Sequence, residues 1–579
     1  MKNTQNFLNK IEKKLVNEKL LLSSKFIETN KFNIAINILE DLDKKFSEIP
    51  EVIYNFALSY YHEGIRFFNN QHYQISLQYL KNAELYFEKI KNKNFLFDVY
   101  TKLSVCNRIE NNYFETLKYH KKLYNLNKKS NFTLSLLIYS KQKLADWENL
   151  ENLFEKAKIK LDEKASSLTP FSALLLSDDI DVQLKSATNY SETYINSKDK
   201  DNFHHSERPK DRKIKVAFLS ADFYDHATLY LMAGVFEKLN HDKFNYYAIS
   251  YSKETDNSNI FNRVKKSFSN FYLVSDKTDI EIAEFLYELE IDIVIDLKGH
   301  TKNSRVGILK NKPCPIQISY LGYPGTLGTN FIDYLILDKF IVNEENRKFF
   351  SENIIFFPNS YQCNDDNKPQ LIKLKRKDFN LPEDKFVLCS LNNGQKYNKK
   401  ILNVWIDILK KNTNTVLWIM NDPGIKEYVF KYILDSGIEK SRIIPSPRVD
   451  YDLHISRLAL ADLFIDSFPC NAHTTASDAL YANLPIITVS GKSMASRVTG
   501  SLLSAIKLNQ LICKDFEEYF TKINFYINDQ IELKKLKKHI KDNKFILYNS
   551  EIFARNLEKS FTELWKNYLN NKTYKDIII

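Results

Sequence analysis

The chain has 579 residues, 44% of them hydrophobic, and a formal net charge of +11; it suits three or four globular domains rather than one, and it is apolar enough to build their cores. Its lysines are scattered among Asn and Ile with no long block of like charge, which argues against the clustered basic surface of a nucleic-acid binder. The six cysteines form no C-x-x-C pair or metal-type group, residues 1–10 lack the apolar core of a signal peptide, and no apolar run is long enough to span a bilayer, so a reduced, cytoplasmic protein with no membrane partner is expected.

Before residue 200 the one glycine is Gly64, and Pro50 is the one proline before Pro170. A stretch so poor in breakers reads as helices. Phe32-Asn33-Ile34-Ala35, Tyr73-Gln74-Ile75-Ser76, Tyr113-Phe114-Glu115-Thr116 and Trp147-Glu148-Asn149-Leu150 share an aromatic with a smaller or apolar residue three positions on. The aromatic positions are 41, 40 and 34 apart. Asn30-Lys31 and Asn111-Asn112 precede two of them. The pattern reads as the repeated turn of a helical hairpin and resembles tetratricopeptide repeats, whose period is about 34; an unrelated helical bundle is the alternative. Tyr54-Asn55-Phe56-Ala57 followed by Tyr60 fits the first helix of such a repeat. The array is expected over residues 1–165, and its concave face suits a protein or peptide partner.

Residues 166–212 read as a helical connector ending in the polar run Ser197–Arg212. Asp179-Ile180-Asp181 has the form of a metal-binding D-x-D, but it lies outside any strand-to-loop context and reads as solvated surface. From residue 213 strands and helices alternate. Strands are expected at Lys215–Leu219, Tyr247–Ser250, Ile293–Leu297, Ile316–Tyr320, Tyr334–Leu337 and Ile354–Phe357, with a helix over Ile280–Leu289, giving a domain over 213–372. After the polar stretch Asn359–Pro382 a second alternation begins, giving a domain over 373–579. Its strands are Val387–Ser390, Val416–Ile419, Arg442–Ile444, Leu463–Ile465 and Ile486–Val489. Its helices include Ile401–Leu409, Leu453–Leu460 and the charged tail Glu532–Leu569. Continuous apolar strands separated by helices imply parallel sheets covered on both faces. The expected fold class is therefore α/β, two doubly wound Rossmann-like lobes preceded by an all-α repeat domain, with a ligand crevice at the carboxyl ends of the strands.

One stretch at that crevice stands out. Leu463–Ile465 ends at Asp466, Phe468–Asn471 form a loop, and Thr474 or Thr475 can cap the next helix. A helix N-terminus suits a phosphate. His473 and the two Thr hydroxyls add donors there, and Asp478, one turn on, could accept from a ribose. A capped helix with no ligand is the plain alternative.

Six stretches in order make the chain resemble the O-GlcNAc transferase family. They are Ser220-Ala221-Asp222-Phe223 with His226, Asp296 to Thr301, Pro313 to Thr326, Leu391 to Lys396, Asp466 to Asp478, and Met494 to Val498. These are glycosyltransferases of the two-domain GT-B fold with N-terminal repeats; the long intervening domain of the animal enzymes looks absent, as in bacterial members. The resemblance implies inverting transfer of a sugar from a UDP-sugar to a Ser or Thr hydroxyl of a protein, which the repeats could help bind. It implies that Lys396 binds the diphosphate, that His473, Thr474 and Thr475 hold the phosphates, and that Asp478 binds the ribose. It places His454 and Arg457 beside the uracil and nucleotide, His226 and His300 near sugar and acceptor, and Gly322-Tyr323-Pro324 along the sugar pocket. Asn393 and Gln395 stand where the animal enzymes carry glutamine and tyrosine, and Tyr451 where they carry a lysine near the uracil. A plant relative that transfers fucose differs at His-Thr-Thr, so His473-Thr474-Thr475 leans toward N-acetylglucosamine.

Chemically, a lysine and a helix N-terminus can stabilise a departing diphosphate without metal, and no D-x-D pair is well placed; no metal or other cofactor is expected. Imidazole titrates near neutrality, so His226 and His300 are candidate bases for the acceptor, alongside a purely positioning role and a donor phosphate oxygen as base. A glucosyl- or fucosyltransferase, a sugar-nucleotide epimerase and an inert repeat scaffold are the alternative functions.

Overall fold

Runs without glycine or proline make the first part of the chain helical. The computed structural model describes residues 9–46, 48–195, 202–206, 208–209, 212–253 and 256–579. Residues 1–8 and much of the polar run Ser197–Arg212 lie outside the described residues. The chain divides into two compact units, Met1–Leu144 and Ala145–Ile579.

The first unit contains helices Lys10–Glu28, Phe32–Phe46, Pro50–Asn69, Tyr73–Lys89, Lys93–Ile109, Tyr113–Leu126 and Asn131–Lys143. The aromatic markers Phe32, Tyr73 and Tyr113 each open a helix. Just before each, Asn30, Gln71 or Asn111 takes a positive φ of 58°, 61° or 57°, the left-handed residue that ends the preceding helix. Gly64 is required by packing: a Cβ there would sit 2.8 Å from Leu80 Cγ of the next helix. The fourth marker behaves differently. Trp147 belongs to the second unit, where its Nε1 donates to Tyr397 O at 3.2 Å and its ring lies edge-on to Tyr432. The division into compact units places Trp147 and the helix Leu150–Asp162 after it with the second unit.

The second unit opens with helices Leu150–Asp162, Pro170–Leu176 and Ile180–Tyr194. Of the D-x-D residues, Asp179 caps a helix, accepting from Asp181 N, and Asp181 pairs with Lys185 one turn on. Beyond them lie fourteen strands among the described residues. They are β1 (Ile214–Ser220), β2 (Phe244–Ser250), β3 (Asn270–Leu273), β4 (Ile293–Asp296), β5 (Ile316–Ser319), β6 (Tyr334–Asp338), β7 (Asn353–Phe357), β8 (Phe386–Ser390), β9 (Thr415–Met420), β10 (Ile443–Ser446), β11 (Leu463–Ile465), β12 (Ile486–Val489), β13 (Ile512–Cys513) and β14 (Ile577–Ile578). They form two parallel sheets, ordered β14-β7-β6-β5-β4-β1-β2-β3 and β10-β9-β8-β11-β12-β13. In each sheet the order reverses once, between β1 and β4 and between β8 and β11. A crevice opens at the carboxyl ends of strands where such a reversal occurs. Leu219 is in register with Asp296, and Leu388 with Leu463, so the loops after these four strands emerge side by side.

The residues expected to form the C-terminal domain do not all stay with the second sheet. Helix Ser550–Leu569 buries Ala554, Leu557, Phe561 and Leu564 in the core of the first, and β14 extends that sheet beside β7. Arg347 fixes this return, donating Nε and Nη2 to Asp576 at 2.7 Å each. The reason is apolar demand, since helices Ala227–Glu237 and Asn259–Lys266 pack into the same core as this helix, which completes the cover of that face. All six cysteines are buried free thiols, and among the described residues no helix is long and apolar enough to cross a membrane. Because Phe561 is fully buried there, Phe561→Ala is expected to destabilise the second unit by about 3–5 kcal/mol, read as a lowered urea midpoint; an unchanged midpoint would show that the returning helix adds little to the first lobe.

Candidate active site

The first-lobe rim is built on two buried carboxylates. Asp296, at the end of β4, accepts Lys298 N at 3.2 Å and Gly299 N at 2.8 Å, folding the chain sharply after the strand. Burial raises its carboxyl to about 6, against the lowering effect of those bonds. Lys298 then turns inward to Asp222, after β1, with Nζ 2.8 Å from both oxygens. His226 caps helix Ala227–Glu237. Its Nδ1 accepts Thr228 N at 3.2 Å, which leaves the ring proton on Nε2, and the same Nδ1 lies 3.5 Å from Asp222 Oδ2. Burial lowers the pKa of His226, opposed by Asp222.

His300 is deeper. Its Nε2 donates to Leu327 O at 2.9 Å, and its ring meets Tyr190 and Tyr323 edge-on. Burial holds it down to about 4. Gly322, Tyr323 and Pro324 form the loop after β5. A Cβ on Gly322 would lie 2.1 Å from Leu297 O, so only glycine lets this loop close on the end of β4. Buried Glu352 anchors the next turn of the loop, accepting Thr326 Oγ1 and Leu327 N at 2.7 Å each. Tyr323 shares a buried cluster with Cys470 and Ala495 of the second lobe.

The second-lobe rim repeats the device. Asp466, at the end of β11, accepts Ser467 N at 2.8 Å and Ala472 N at 2.7 Å on Oδ1, and Thr488 Oγ1 at 2.8 Å on Oδ2. The loop is thereby turned back so that Asn471 O faces Lys396, whose Nζ lies 2.5 Å away. Lys396 ends the short 3-10 turn Gly394–Lys396 after β8, where Asn393 accepts Gln395 N at 3.2 Å. Helix Thr474–Tyr481 starts at this point with His473 as its N-cap residue. Its first N–H groups have no partner within the helix, and the Thr474 and Thr475 side chains are half-buried beside them. His473 Nε2 donates to Ala495 O at 3.2 Å. Burial, with the Lys396 ammonium adding to it, lowers the His473 imidazole to about 3. Lys396, His473 and the Thr474 turn thus form one cluster.

Asp478 and His454 lie on the other side of that helix start. Asp478 is buried, accepting Lys368 Nζ at 2.8 Å and Tyr451 OH at 2.9 Å on Oδ1. Tyr451 opens helix Tyr451–Leu458, and its ring stacks on Tyr230 of the first lobe, centroids 3.7 Å apart and planes 17° apart. One turn on, His454 Nδ1 accepts Arg457 Nη2 at 2.9 Å, which puts the ring proton on Nε2. Arg457 is fully buried. Its other bonds go to Ser446 Oγ and Pro447 O, and its ring neighbours are Phe379 and Trp418. Burial lowers both groups, His454 to about 4 and Arg457 to about 10.

Tyr230, on the helix that His226 caps, thus stacks on Tyr451, on the helix that carries His454. Sequence patterns did not single out Lys368, Tyr230 or Asp178. Asp178 accepts Lys492 N at 2.7 Å and Ser493 N at 3.0 Å, holding the loop whose Ala495 carbonyl orients His473. Each is a lone residue whose partner is distant in sequence. Among the described residues no three His, Cys, Asp or Glu side chains converge as metal ligands would.

Comparison with known proteins adds to this geometry. The model of glycosyl transferase family 41 matches residues 163–373 and 362–557. A protein of Arabidopsis thaliana named "Probable UDP-N-acetylglucosamine--peptide N-acetylglucosaminyltransferase SEC" is 33% identical over 364 residues, 61% of this chain and 37% of that protein. The like-named SPINDLY protein of Oryza sativa subsp. japonica is 27% identical over 373 residues, 62% of this chain and 39% of that protein. The chain thus matches under half the length of these curated relatives. A solved Thermobaculum terrenum O-GlcNAc transferase mutant shares the fold, with a TM-score of 0.67 at 16% identity, covering 97% of this chain and 100% of that one.

The buried imidazoles set a pH dependence. For His300, above pH 6.5 both folded and unfolded forms are neutral; below it the unfolded chain takes up a proton that the folded chain refuses until about 4. Stability is therefore lost as pH falls through this window. His300→Gln, whatever it does to stability at neutrality, is expected to remove about 2 kcal/mol of the pH 7 to pH 5 loss. Urea unfolding of both proteins at the two pH values checks this, and an equal loss in both would mean that His300 is protonated in the fold.

Proposed function

The chain belongs to glycosyl transferase family 41, and on that footing we propose that it moves N-acetylglucosamine from UDP-N-acetylglucosamine to Ser or Thr hydroxyls of a protein, with inversion at the sugar and without a metal ion. The observation that carries the reading is the seating of Lys396 against Asn471 O, at the N-terminus of helix Thr474–Tyr481 and close enough to His473 to lower its pKa. An ammonium and unpaired helix N–H groups at one point are what a departing diphosphate requires. The names of the relatives, which state a UDP-N-acetylglucosamine–peptide transfer, support the same donor and acceptor class.

In this reading the acceptor hydroxyl oxygen attacks the anomeric carbon as its bond to the β-phosphate oxygen breaks, UDP leaves with the bonding pair, and the hydroxyl proton passes to a phosphate oxygen of the departing UDP. Lys396, the Thr474 and Thr475 hydroxyls and the free N–H groups at the helix start receive the growing negative charge, while His473, its ring proton committed to Ala495 O, fixes that start. Asp478 accepts from the ribose, while His454, held with its proton on Nε2 by Arg457, flanks the base. Asn393 and Gln395 line the turn that carries Lys396. His226, with its side chain 37% exposed and its proton directed to Nε2, faces the acceptor side. His300, 7% exposed and tied to Leu327 O, supports Gly322, Tyr323 and Pro324 around the sugar. The helices of the first unit hold the acceptor protein.

Purified chain, a cell lysate as acceptor and a panel of UDP-N-acetylglucosamine, UDP-glucose and GDP-fucose, each with and without EDTA, test the reading by mass spectrometry. Addition of N-acetylhexosamine to Ser or Thr in the presence of EDTA is the expected outcome. Transfer restored only by added divalent cation would overturn metal independence, and hexose or deoxyhexose addition would overturn the donor. Lys396→Ala is expected to lower kcat about 10²–10³-fold with an unchanged circular dichroism melt; near-normal turnover would remove Lys396 from its role.

A further inference from the structure

Lys368 lies in the polar segment that joins β7 to β8, yet its side chain is 1% exposed. Its Nζ donates to Asp478 Oδ1 at 2.8 Å and to Tyr451 OH at 2.6 Å, and Tyr451 OH donates to the same Oδ1 at 2.9 Å. The three groups form a closed triangle. The rings of Tyr451, Tyr481 and Tyr548 surround the ammonium with centroids at 5.3, 5.9 and 5.9 Å. The backbone is held too, because Tyr481 OH donates to Lys368 O at 3.4 Å and Pro369 O at 3.3 Å.

Burying an ammonium and a carboxylate is costly unless each is paired and held. Here the pair draws together three parts of the chain: the interlobe segment, the helix that starts at Thr474, and the helix that starts at Tyr451. It also engages one oxygen of Asp478 twice and so fixes the rotation of the carboxylate. Position 451, where the family resemblance leads one to expect a lysine, carries a tyrosine whose hydroxyl receives an ammonium from 83 residues upstream.

We propose that Lys368 is a positioning residue for nucleoside recognition: it locks Asp478 and Tyr451 in the orientation that leaves the second carboxylate oxygen, Oδ2, to accept from the vicinal hydroxyls of a ribose. This rests on the reading of Asp478 as the ribose contact. Lys368 itself touches no ligand, since its charge is enclosed by Asp478 and the three rings. Its effect passes through the ribose alone, which separates it from a residue that merely stabilises the fold.

Calorimetric titration of the full chain with UDP and with 2′,3′-dideoxy-UDP tests it. Unaltered protein is expected to bind UDP about tenfold or more tightly than the dideoxy compound, as loss of hydrogen bonds to a charged acceptor implies. In Lys368→Met the UDP affinity is expected to fall about tenfold while the dideoxy affinity barely changes, so that the ratio collapses. Equal weakening of both ligands, or an unchanged ratio, would overturn the proposal. Equal binding of both by the unaltered protein would instead overturn the ribose reading of Asp478 and take this inference with it. Because Lys368→Met strands a buried carboxylate, Tyr451→Phe, which keeps the ion pair, supplies a second measurement. It is expected to narrow the ratio by about threefold, and an unchanged ratio there also counts against the triangle.

Discussion

A single buried carboxylate governs the second-lobe rim. Asp466 terminates β11 and takes hydrogen bonds from Ser467 N, Ala472 N and Thr488 Oγ1. With both oxygens engaged, the intervening loop has little choice but to fold back on itself. Asn471 O then points at Lys396, and His473 stands at the start of the next helix. Remove that carboxylate and the lysine, the imidazole and the helix N–H groups lose their common focus. A carboxylate buried this deeply is tolerated because fixed donors replace the water it has lost.

The first lobe uses the same physics with another result. Asp296 also ends a strand beside a reversal in strand order and captures the next two free amides. There the bent chain sends Lys298 inward to Asp222 instead of presenting it to the crevice. Each lobe therefore offers a lysine just past a switch point, one spent on internal pairing and the other held by a backbone carbonyl. A carbonyl is a weaker partner for an ammonium than a carboxylate, and the Lys396 charge is correspondingly less neutralised by its surroundings.

Much of this was legible in sequence because buried parallel strands announce themselves. Ile293–Asp296, Tyr334–Asp338 and Ile486–Val489 are short, largely apolar runs rich in Ile and Val or bounded by turn residues, a length and composition that favour buried strands. Edge strands were not legible: Asn270–Leu273 is half exposed, and Ile577–Ile578 is two residues long. The residues Lys396, His473, Thr474 and Asp478 were found because local pattern and family resemblance coincide on them. Lys368 and Tyr230 escaped because their meaning comes from partners 110 and 221 residues away, Asp478 and Tyr451. Trp147 carries two meanings, of which sequence shows one. It fits a repeat motif locally, but its indole docks onto Tyr397 and Tyr432.

The return of residues 550–579 to the first sheet has a bearing on biosynthesis. Strands β1 to β7 leave the ribosome well before the helix that completes the cover of their apolar face, and β7 has no neighbour on its outer side until Ile577 and Ile578 arrive. The second sheet, whose strands are contiguous in sequence, can close while the earlier one still waits. In a nascent chain the lobe translated first is thus the one completed last, after every strand of the second sheet has been made.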